Sequence, residues 1–242
     1  MNYPIHNFTV LESIHGRIIV NRHCAFQADA LAKTGATHIE DELKNLLAIA
    51  NTLPNDAVIV DGGANIGLVT VPLAQMGRSR HWTIHSFEPQ RMIYNALCGT
   101  LALNDLTHVY AHNKGLSDKA DMMTVPTVDY GVAQDYGTVE LSSSSASNQG
   151  ESVSVIALDD LGLARLDFLK LDIEGMEIPA LRGAKKLIAT HQPWCWIEYW
   201  KVGIDTIKAE FSGLNYEFFQ IDSLNLICAP LARWDKQQLN IQ

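Results

Sequence analysis

Short apolar runs alternate with longer amphipathic segments along most of the chain. Short runs are typical of buried strands, and segments with apolar positions three or four apart are typical of helices. Their alternation predicts an α/β fold in which helices cover both faces of a mostly parallel sheet. Strands are predicted near 58–60, 82–87, 107–112, 167–172, 194–199, 216–221 and 224–228. Helices are predicted at 39–53, 66–77, 90–103, 177–190 and 203–213.

The two ends of the chain depart from this alternation. Asp222-Ser223 joins the last two predicted strands and is short enough for an antiparallel hairpin. Residues 1–38 are predicted to form a β-rich or irregular N-terminal extension, which leaves 39–242 for the α/β domain.

Residues 119–153 also break the pattern, because they contain turn residues and no clear helix. A long connection with little secondary structure is either functional or disordered. Tyr130 and Tyr136, each followed by glycine, favour a partly ordered loop that faces a ligand on the substrate side. The serine run 142–145 is more typical of a flexible surface stretch.

The composition is that of a globular protein. The chain has 242 residues, 47% hydrophobic and 19% charged, which suits one large domain with an ample core. Its net charge of −9 disfavours nucleic acid as a partner. No apolar run is long enough to span a membrane, the start lacks a signal-peptide pattern, and the four cysteines are scattered. We therefore expect a cytoplasmic protein with reduced thiols.

The stretch Asp61–Gly67 carries the strongest chemical signal. It follows the β-branched run 57–60 and precedes an apolar segment, so it predicts a strand, a tight turn and a helix. Its glycines lack the G-x-G-x-x-G spacing of dinucleotide sites, and Asp61 would place a carboxylate beside a phosphate. A partly buried carboxylate favours a cationic ligand. S-adenosylmethionine, which carries an ammonium and a sulfonium, is such a ligand.

Acids also end two other predicted strands. Glu88 lies 27 positions after Asp61 (88 minus 61), where an acid accepts hydrogen bonds from a ribose diol. Asp172 and Glu174 follow the strand near 167–172. Each of these acids has the alternative role of capping the next helix. Because ligands of open α/β sheets bind beyond the carboxyl ends of the strands, Asp61, Glu88 and Asp172 are predicted to converge on one crevice.

Five motifs occur in a fixed order: Asp61–Gly67, Ser86–Pro89, Gly115–Asp118, Leu158–Asp160 and Lys170–Gly175. Together they resemble the FkbM-type methyltransferases, over about residues 16–230. The resemblance implies S-adenosylmethionine as cofactor and a class I methyltransferase domain over 39–242. It also implies a Rossmann-like sheet of seven strands, mostly parallel, in the order 3-2-1-4-5-7-6.

The resemblance implies roles for particular residues as well. Two positions differ from the family pattern: Gly62 replaces a larger aliphatic residue, and 112–114 is more polar than a typical third strand end. The matching positions are Asp61, Gly63, Asn65 and Gly67 for the cofactor loop, Glu88 for the ribose hydroxyls, Ser117 for the adenine edge and Asp172 for the strand end nearest the transferred methyl group.

The implied reaction is O-methylation of a hydroxyl, often on a sugar or a secondary metabolite, so the expected partner is a small-molecule or glycan acceptor. A hydroxyl must lose a proton. Asp172, followed by Glu174 and Glu198, is therefore a candidate general base, or a ligand of a divalent ion that acidifies the hydroxyl. The sequence leaves the metal open.

Aromatic side chains are expected near the crevice, where a sugar ring could stack on them. The alternative for those on the strand near 194–199 is burial in the core. The aromatic residues concerned are Tyr130, Tyr136, Trp194, Trp196, Tyr199 and Trp200.

Two other functions stay open. A nicotinamide-dependent oxidoreductase would share the sheet and the acid at the second strand, but the absent G-x-G-x-x-G spacing disfavours it. A catalytically inactive cofactor-binding module is disfavoured by the presence of Asp61, Glu88 and Asp172 together.

Overall fold

The computed structural model describes residues 6–143 and 149–233. The strands are β1 (Phe8–Ser13), β2 (Gly16–Asn21), β3 (Val58–Gly62), β4 (Thr83–Phe87), β5 (Val109–His112), β6 (Gly115–Leu116), β7 (Asp121–Pro126), β8 (Ser142–Ser143), β9 (Gly150–Ile156), β10 (Phe168–Leu171), β11 (Trp194–Glu198), β12 (Tyr216–Gln220) and β13 (Asn225–Pro230). The helices are α1 (Ala25–Thr34), α2 (Glu40–Ala50), α3 (Thr70–Gly77), α4 (Arg91–Leu103), α5 (Glu177–Gly183), α6 (Lys185–His191) and α7 (Ile204–Glu210).

A large sheet of seven strands forms the centre of the molecule, in the order β12-β13-β11-β10-β3-β4-β5. Counted from β3 as the first strand, this order reads 3-2-1-4-5-7-6 from the β5 edge. Strand β13 is antiparallel to both of its neighbours, and the other pairs are parallel. The α/β class and the mostly parallel sheet are confirmed.

The central strands are buried on both faces, which explains their nearly continuous apolar sequence. Alternate residues point to opposite faces. Ile59 and Phe168 belong to the core on one face, and Val60 and Leu169 belong to the core on the other. Lys170 of β10 and Asp61 of β3 are charged exceptions, because these side chains are only 2% and 0% exposed in the middle of the sheet.

The first residues form an antiparallel hairpin of β1 and β2, followed by the helix α1, which the sequence did not predict. The hairpin packs against α4. The backbone N–H of Ile19 donates a hydrogen bond to Thr100 Oγ1 at 3.0 Å, and a Cβ added at Gly99 would lie 2.4 Å from Ile19 Cδ1. Glycine at this position therefore lets the hairpin approach the helix closely.

The segment 119–153 has more structure than the sequence predicted. Strands β7 and β9 pair along six residues and join β6 and β8 in a second sheet of four strands. The prediction of a connection with little secondary structure is wrong there, because alternate burial of Val153 and Val155 gives β9 a strand pattern. The predicted flexible serine run begins within β8, and its residues 144–145 lie outside the described residues.

The predicted helix 177–190 is divided into α5 and α6 at Ala184. There the carboxylate of Asp159 accepts hydrogen bonds from the backbone N–H groups of Lys186 and Leu187, at 3.0 Å each. In the described ranges, none of the helices combines the length and apolarity that crossing a membrane requires.

Candidate active site

A cleft with two arms lies beyond the carboxyl ends of β3, β4 and β10. The empty space in the narrow arm is about 450 Å³ and that in the wide arm about 1340 Å³, including the part that is open to solvent. Apolar walls of the narrow arm include Phe87, Pro89, Leu116, Leu141, Ile173 and Met176. The wide arm is lined by residues that include Phe26, His38, Glu42, Asn65, Glu198 and Trp200. The arms are continuous because both are lined by Gly63, Glu88, Gly137, Asp172 and Glu174.

Gly63 lies where the ends of β3, β4 and β10 approach one another. Its φ is +74°, and a Cβ added there would lie 1.8 Å from the carbonyl oxygen of Asp172. Its N–H donates to the carbonyl of Phe87 at 3.0 Å. Only glycine allows this approach without displacing the backbone of the neighbouring strand end. The motif glycine therefore closes the floor that the two arms share.

Asn65 continues the turn into the wide arm. Its φ of +50° is a left-handed conformation that asparagine tolerates better than most residues. Its side-chain Oδ1 accepts a hydrogen bond from the N–H of Ile66 at 2.8 Å. Its own N–H donates to Glu88 Oε2 at 3.0 Å, which ties the glycine turn to the end of β4.

Glu88 is fixed by backbone donors and lines both arms. Besides the bond from Asn65, its Oε1 accepts the N–H of Gln90 at 2.8 Å, and the residue is only 4% exposed. Burial raises the pKa of Glu88 to about 7, although these two hydrogen bonds oppose the shift. Each carboxylate oxygen keeps acceptor capacity for a ligand. The geometry therefore suits a pair of hydroxyl donors.

Asp61 does not line the cleft. It is fully buried and accepts a hydrogen bond from Thr70 Oγ1 at 2.6 Å, and its Oδ1 lies 3.3 Å from the Nζ of Lys170. The expectation that this carboxylate needs a cationic ligand is corrected, because the chain supplies the cation itself. The sequence contained this signal, since a lysine within an apolar strand requires a partner.

Lys170 connects the glycine turn to the end of β10. Its Nζ also lies 3.3 Å from Asp172 Oδ2 and donates to the carbonyl of Gly63 at 3.2 Å. Burial alone would lower the pKa of this lysine, but Asp172, Asp61 and Glu42 raise it above its ordinary value. The lysine therefore stays charged and holds both carboxylates in place.

Asp172, Glu174 and Glu198 come together, which the sequence left open. One carboxylate oxygen of each lies within 4.8 Å of the others. Glu174 has a φ of +56°, and its Oε2 lies 2.6 Å from the Nζ of Lys201. Burial raises the pKa of Glu174, and Lys201 opposes that shift. No ion pair joins Glu198 to a basic side chain in residues 6–143 and 149–233.

The three carboxylates are also candidate ligands of a divalent ion. Such an ion needs several free oxygen ligands. Two of the three carboxylates already have a lysine partner, namely Asp172 with Lys170 and Glu174 with Lys201. A divalent ion bound here would therefore compete with Lys170 and Lys201 for two of its three carboxylates.

Two other predicted positions border the cleft without lining it. Gly67 has a φ of +99°, and a Cβ added there would lie 3.0 Å from Leu97 Cδ1 of α4, so this glycine serves helix packing. Ser117 follows Leu116, a wall of the narrow arm, and is 8% exposed. The carbonyl oxygen of Ser117 packs against Gly183 of α5, where an added Cβ would lie only 2.0 Å from it.

Of the aromatic side chains expected near the crevice, only Trp200 lines the wide arm. Trp194 and Trp196 are buried in the core, and Trp196 Nε1 donates to Asn225 Oδ1 at 2.9 Å. The alternative of core residues is therefore correct for both. Tyr136 is buried and donates to the carbonyl of Val132, while Tyr199 donates to the carbonyl of Asp222.

Sequence reasoning missed Glu42 and Phe26. Glu42 projects from α2 into the wide arm, and burial raises its pKa to about 7. Phe26 lies on α1, is 65% exposed and contacts the His38 ring at a centroid distance of 4.5 Å. Both precede the first motif, so no strand-end pattern pointed to them.

Comparisons with known proteins show which family the chain resembles. The model of the methyltransferase FkbM domain matches residues 61–229. Methyltransferase sdnD of Sordaria araneosa is 30% identical over 188 residues, covering 64% of this chain and 71% of the relative. Methyltransferase 1 of Beauveria bassiana (strain ARSEF 2860) is 28% identical over 153 residues, covering 54% of this chain and 59% of the relative.

A similar fold occurs in the crystal structure of methyltransferase FkbM from Methylobacillus flagellatus KT. The TM-score is 0.54 at 20% identity, and the match covers 73% of this chain and 44% of that one. The family match at residues 61–229 includes the glycine turn, Glu88, Lys170 and the acidic cluster, whereas Phe26, His38 and Glu42 of the wide arm precede it. The chain belongs to the FkbM methyltransferase family.

Proposed function

We propose that the protein is an S-adenosylmethionine-dependent methyltransferase that methylates a hydroxyl of a small-molecule or glycan acceptor. The observation that carries the proposal is Glu88, a buried carboxylate that two backbone N–H groups hold at the junction of the arms. Glu88 would bind the ribose hydroxyls, and the apolar walls of the narrow arm would take the adenine. Bound S-adenosylmethionine supplies the methyl group.

The charge of the wide arm supports a cationic ligand. Among the described residues its lining contains seven acidic side chains and no lysine or arginine. Three of these acids are ion-paired with lysines, namely Asp41 with Lys44, and Asp172 and Glu174 as described. The remaining carboxylates favour the ammonium and sulfonium of the methyl donor. The pyrophosphate of a dinucleotide would be repelled there, which disfavours an oxidoreductase.

The outer part of the wide arm supports a non-anionic acceptor with a flat or apolar face. Phe26, Trp200 and Leu224 line it and are 65%, 53% and 43% exposed. Aromatic rings of this kind provide stacking surfaces for a ring-shaped ligand. The acids beneath them disfavour a phosphorylated acceptor, and the overall charge of −9 disfavours nucleic acid.

We further propose that the described part of the N-terminal extension, residues 6–38, and part of 119–153 form the acceptor side. Phe26 and His38 come from the N-terminal residues, and Asp135 and Thr138 come from the internal segment. Both segments extend over the ends of the sheet strands, where a ligand beside the methyl donor would lie.

Calorimetry with S-adenosylmethionine tests the assignment of Glu88. In Glu88→Gln the side chain keeps its size but loses the charge and one acceptor, so we expect affinity to fall about 10- to 100-fold, or about 1–3 kcal/mol. Glu217→Gln is the matched control, because Glu217 lies on β12 and lines neither arm. Equal affinity of the Glu88 variant and the wild type would remove the ribose assignment.

The two rival functions are separable by direct assays. Thermal stabilisation by NADH and not by S-adenosylmethionine would favour the oxidoreductase. An inactive binding module would bind the methyl donor but form no S-adenosylhomocysteine with any member of a panel of sugar and secondary-metabolite hydroxyl acceptors. We expect stabilisation by the methyl donor and product with at least one acceptor.

A further inference from the structure

The ring of His38 lies in the wide arm and packs against the ring of Phe26. The two ring centroids are 4.5 Å apart, and the ring planes are tilted by 53°. Burial lowers the pKa of His38, and Asp135, which lines the same arm, opposes that shift. The side chain is therefore neutral near pH 7, and a neutral imidazole carries its one proton on either Nδ1 or Nε2.

The surroundings of the two ring nitrogens decide between these tautomers. In residues 6–143 and 149–233, Nδ1 of His38 is enclosed and has no hydrogen-bond partner. A proton on Nδ1 would form a buried N–H group without an acceptor, and such groups are rare because they cost free energy. Since Nδ1 is enclosed, Nε2 is the ring nitrogen that water or a ligand in the arm can reach. The proton therefore belongs on Nε2, where it finds an acceptor.

We propose that His38 selects the acceptor molecule by donating its Nε2–H group to an oxygen atom of that molecule, beside the face that stacks on Phe26. This inference rests on the proposed function and narrows its acceptor class. The reacting hydroxyl has to offer a lone pair to the methyl group, and a hydrogen bond from Nε2 would make that oxygen a weaker nucleophile. The oxygen that His38 binds is therefore a second one, such as an ether, a carbonyl or a neighbouring hydroxyl.

The other groups of the wide arm leave room for such a donor. The ionised carboxylates that dominate its lining only accept hydrogen bonds, so they bind the hydroxyl protons of an acceptor but not its ether or carbonyl oxygens. His38 lines this arm and not the narrow arm, so its hydrogen bond serves the acceptor and not the adenine.

The same geometry disfavours His38 as the group that removes the acceptor proton. An imidazolium carries a proton on both nitrogens, and the one on Nδ1 would be enclosed without a partner. His38 therefore acts by binding and orienting the acceptor, and it stays neutral.

The tautomer of His38 is measurable without any ligand. Long-range proton–nitrogen NMR correlations of isotope-labelled protein distinguish the Nε2–H tautomer, the Nδ1–H tautomer and the imidazolium, and the spectrum of His38→Gln assigns the signal. We expect the Nε2–H tautomer at pH 7. Either of the other two states at this pH would overturn the inference.

Two probes of similar shape test the hydrogen bond itself. 2-Methoxyphenol carries a ring, a hydroxyl and an ether oxygen, whereas 2-ethylphenol has a methylene group in place of the ether oxygen. Binding of each probe to the complex with S-adenosylhomocysteine is measured by saturation-transfer NMR. We expect the wild type to bind 2-methoxyphenol about 2- to 10-fold more tightly, which is the usual contribution of one hydrogen bond.

Variants of His38 separate hydrogen bonding from packing. The side-chain amide of glutamine places an N–H group near the position of Nε2, so His38→Gln should keep the preference for 2-methoxyphenol. His38→Phe keeps a ring but has no donor, so it should bind the two probes equally. His191→Phe is the matched control and should behave like the wild type, because His191 lies on α6 and lines neither arm.

Three results with the probes would overturn the inference. They are equal binding of the two probes, or binding of neither, by the wild type; a preference that persists in His38→Phe; and a preference that is lost in His38→Gln as well. The comparison of the two probes in the wild type needs no variant. Binding of S-adenosylmethionine is measured separately by calorimetry, and its absence in the wild type would overturn the proposed function itself.

Discussion

The narrow and wide arms of the cleft are built in different ways. The narrow arm and the junction consist of strand ends, a glycine turn and backbone donors, with Gly63 and Glu88 held by β4 and β10. The wide arm consists of side chains from separate segments, such as Phe26 on α1 and Glu42 on α2. Changes in the first region should therefore affect folding and cofactor binding together, and changes in the aromatic outer part of the second should affect the acceptor alone.

The largest effect is expected for Gly63→Ala. The new Cβ would lie 1.8 Å from the Asp172 carbonyl oxygen, so the turn must move or the protein must unfold. We expect a loss of about 4 kcal/mol or more in the free energy of unfolding, together with loss of cofactor binding. Gly162→Ala is the control, because Gly162 has a similar φ of +71° and nothing within 4 Å. It should lose only about 1–2 kcal/mol in thermal or denaturant unfolding.

Lys170→Met should have the next largest effect. It leaves Asp61 buried without its cation, which costs about 3–5 kcal/mol. The double variant Lys170→Met with Asp61→Asn removes both charges and should recover most of that stability in denaturant unfolding. A double variant as unstable as the single one would contradict the view that this ion pair holds the floor of the cleft.

Glu198→Gln tests the wide arm through the dependence of stability on pH. The folded protein keeps Glu198 protonated up to about pH 8, whereas the unfolded chain releases this proton near 4.5. Because the pKa is raised on folding, the wild type should lose stability relative to Glu198→Gln as pH rises through this window. Melting temperatures measured from pH 4 to 9 check this. A constant difference between the two proteins would mean that Glu198 does not titrate in this window.

Phe26→Ala should have the smallest effect on the fold, because the ring is 65% exposed. We expect a stability change within about 0.5 kcal/mol and an unchanged affinity for S-adenosylmethionine. The KM for an acceptor that binds by ring stacking should rise. The rise should correspond to a loss of about 0.5–1.5 kcal/mol in the free energy of acceptor binding. Weaker cofactor binding in this variant would contradict the separation of the two arms.

The same contrast explains how much the sequence could predict. The mostly parallel sheet follows from apolar strands buried on both faces, and the convergence of Glu88 and Asp172 follows from where such strands end. Lys170 shows what a motif alone leaves out, because its partner Asp61 lies 109 positions earlier (170 minus 61) and only the parallel pairing of β3 and β10 brings them together. Phe26 and Glu42 were beyond reach, since helix packing places them in the wide arm.

A crystal structure with S-adenosylhomocysteine tests the central claim most directly. We expect the adenine between the apolar walls of the narrow arm, and both ribose hydroxyls within about 2.5–3.0 Å of the Glu88 carboxylate oxygens. The sulfur should then face Asp172 and Glu198 in the wide arm. Ligand density elsewhere on the molecule, or none after soaking at millimolar concentration, would contradict the account.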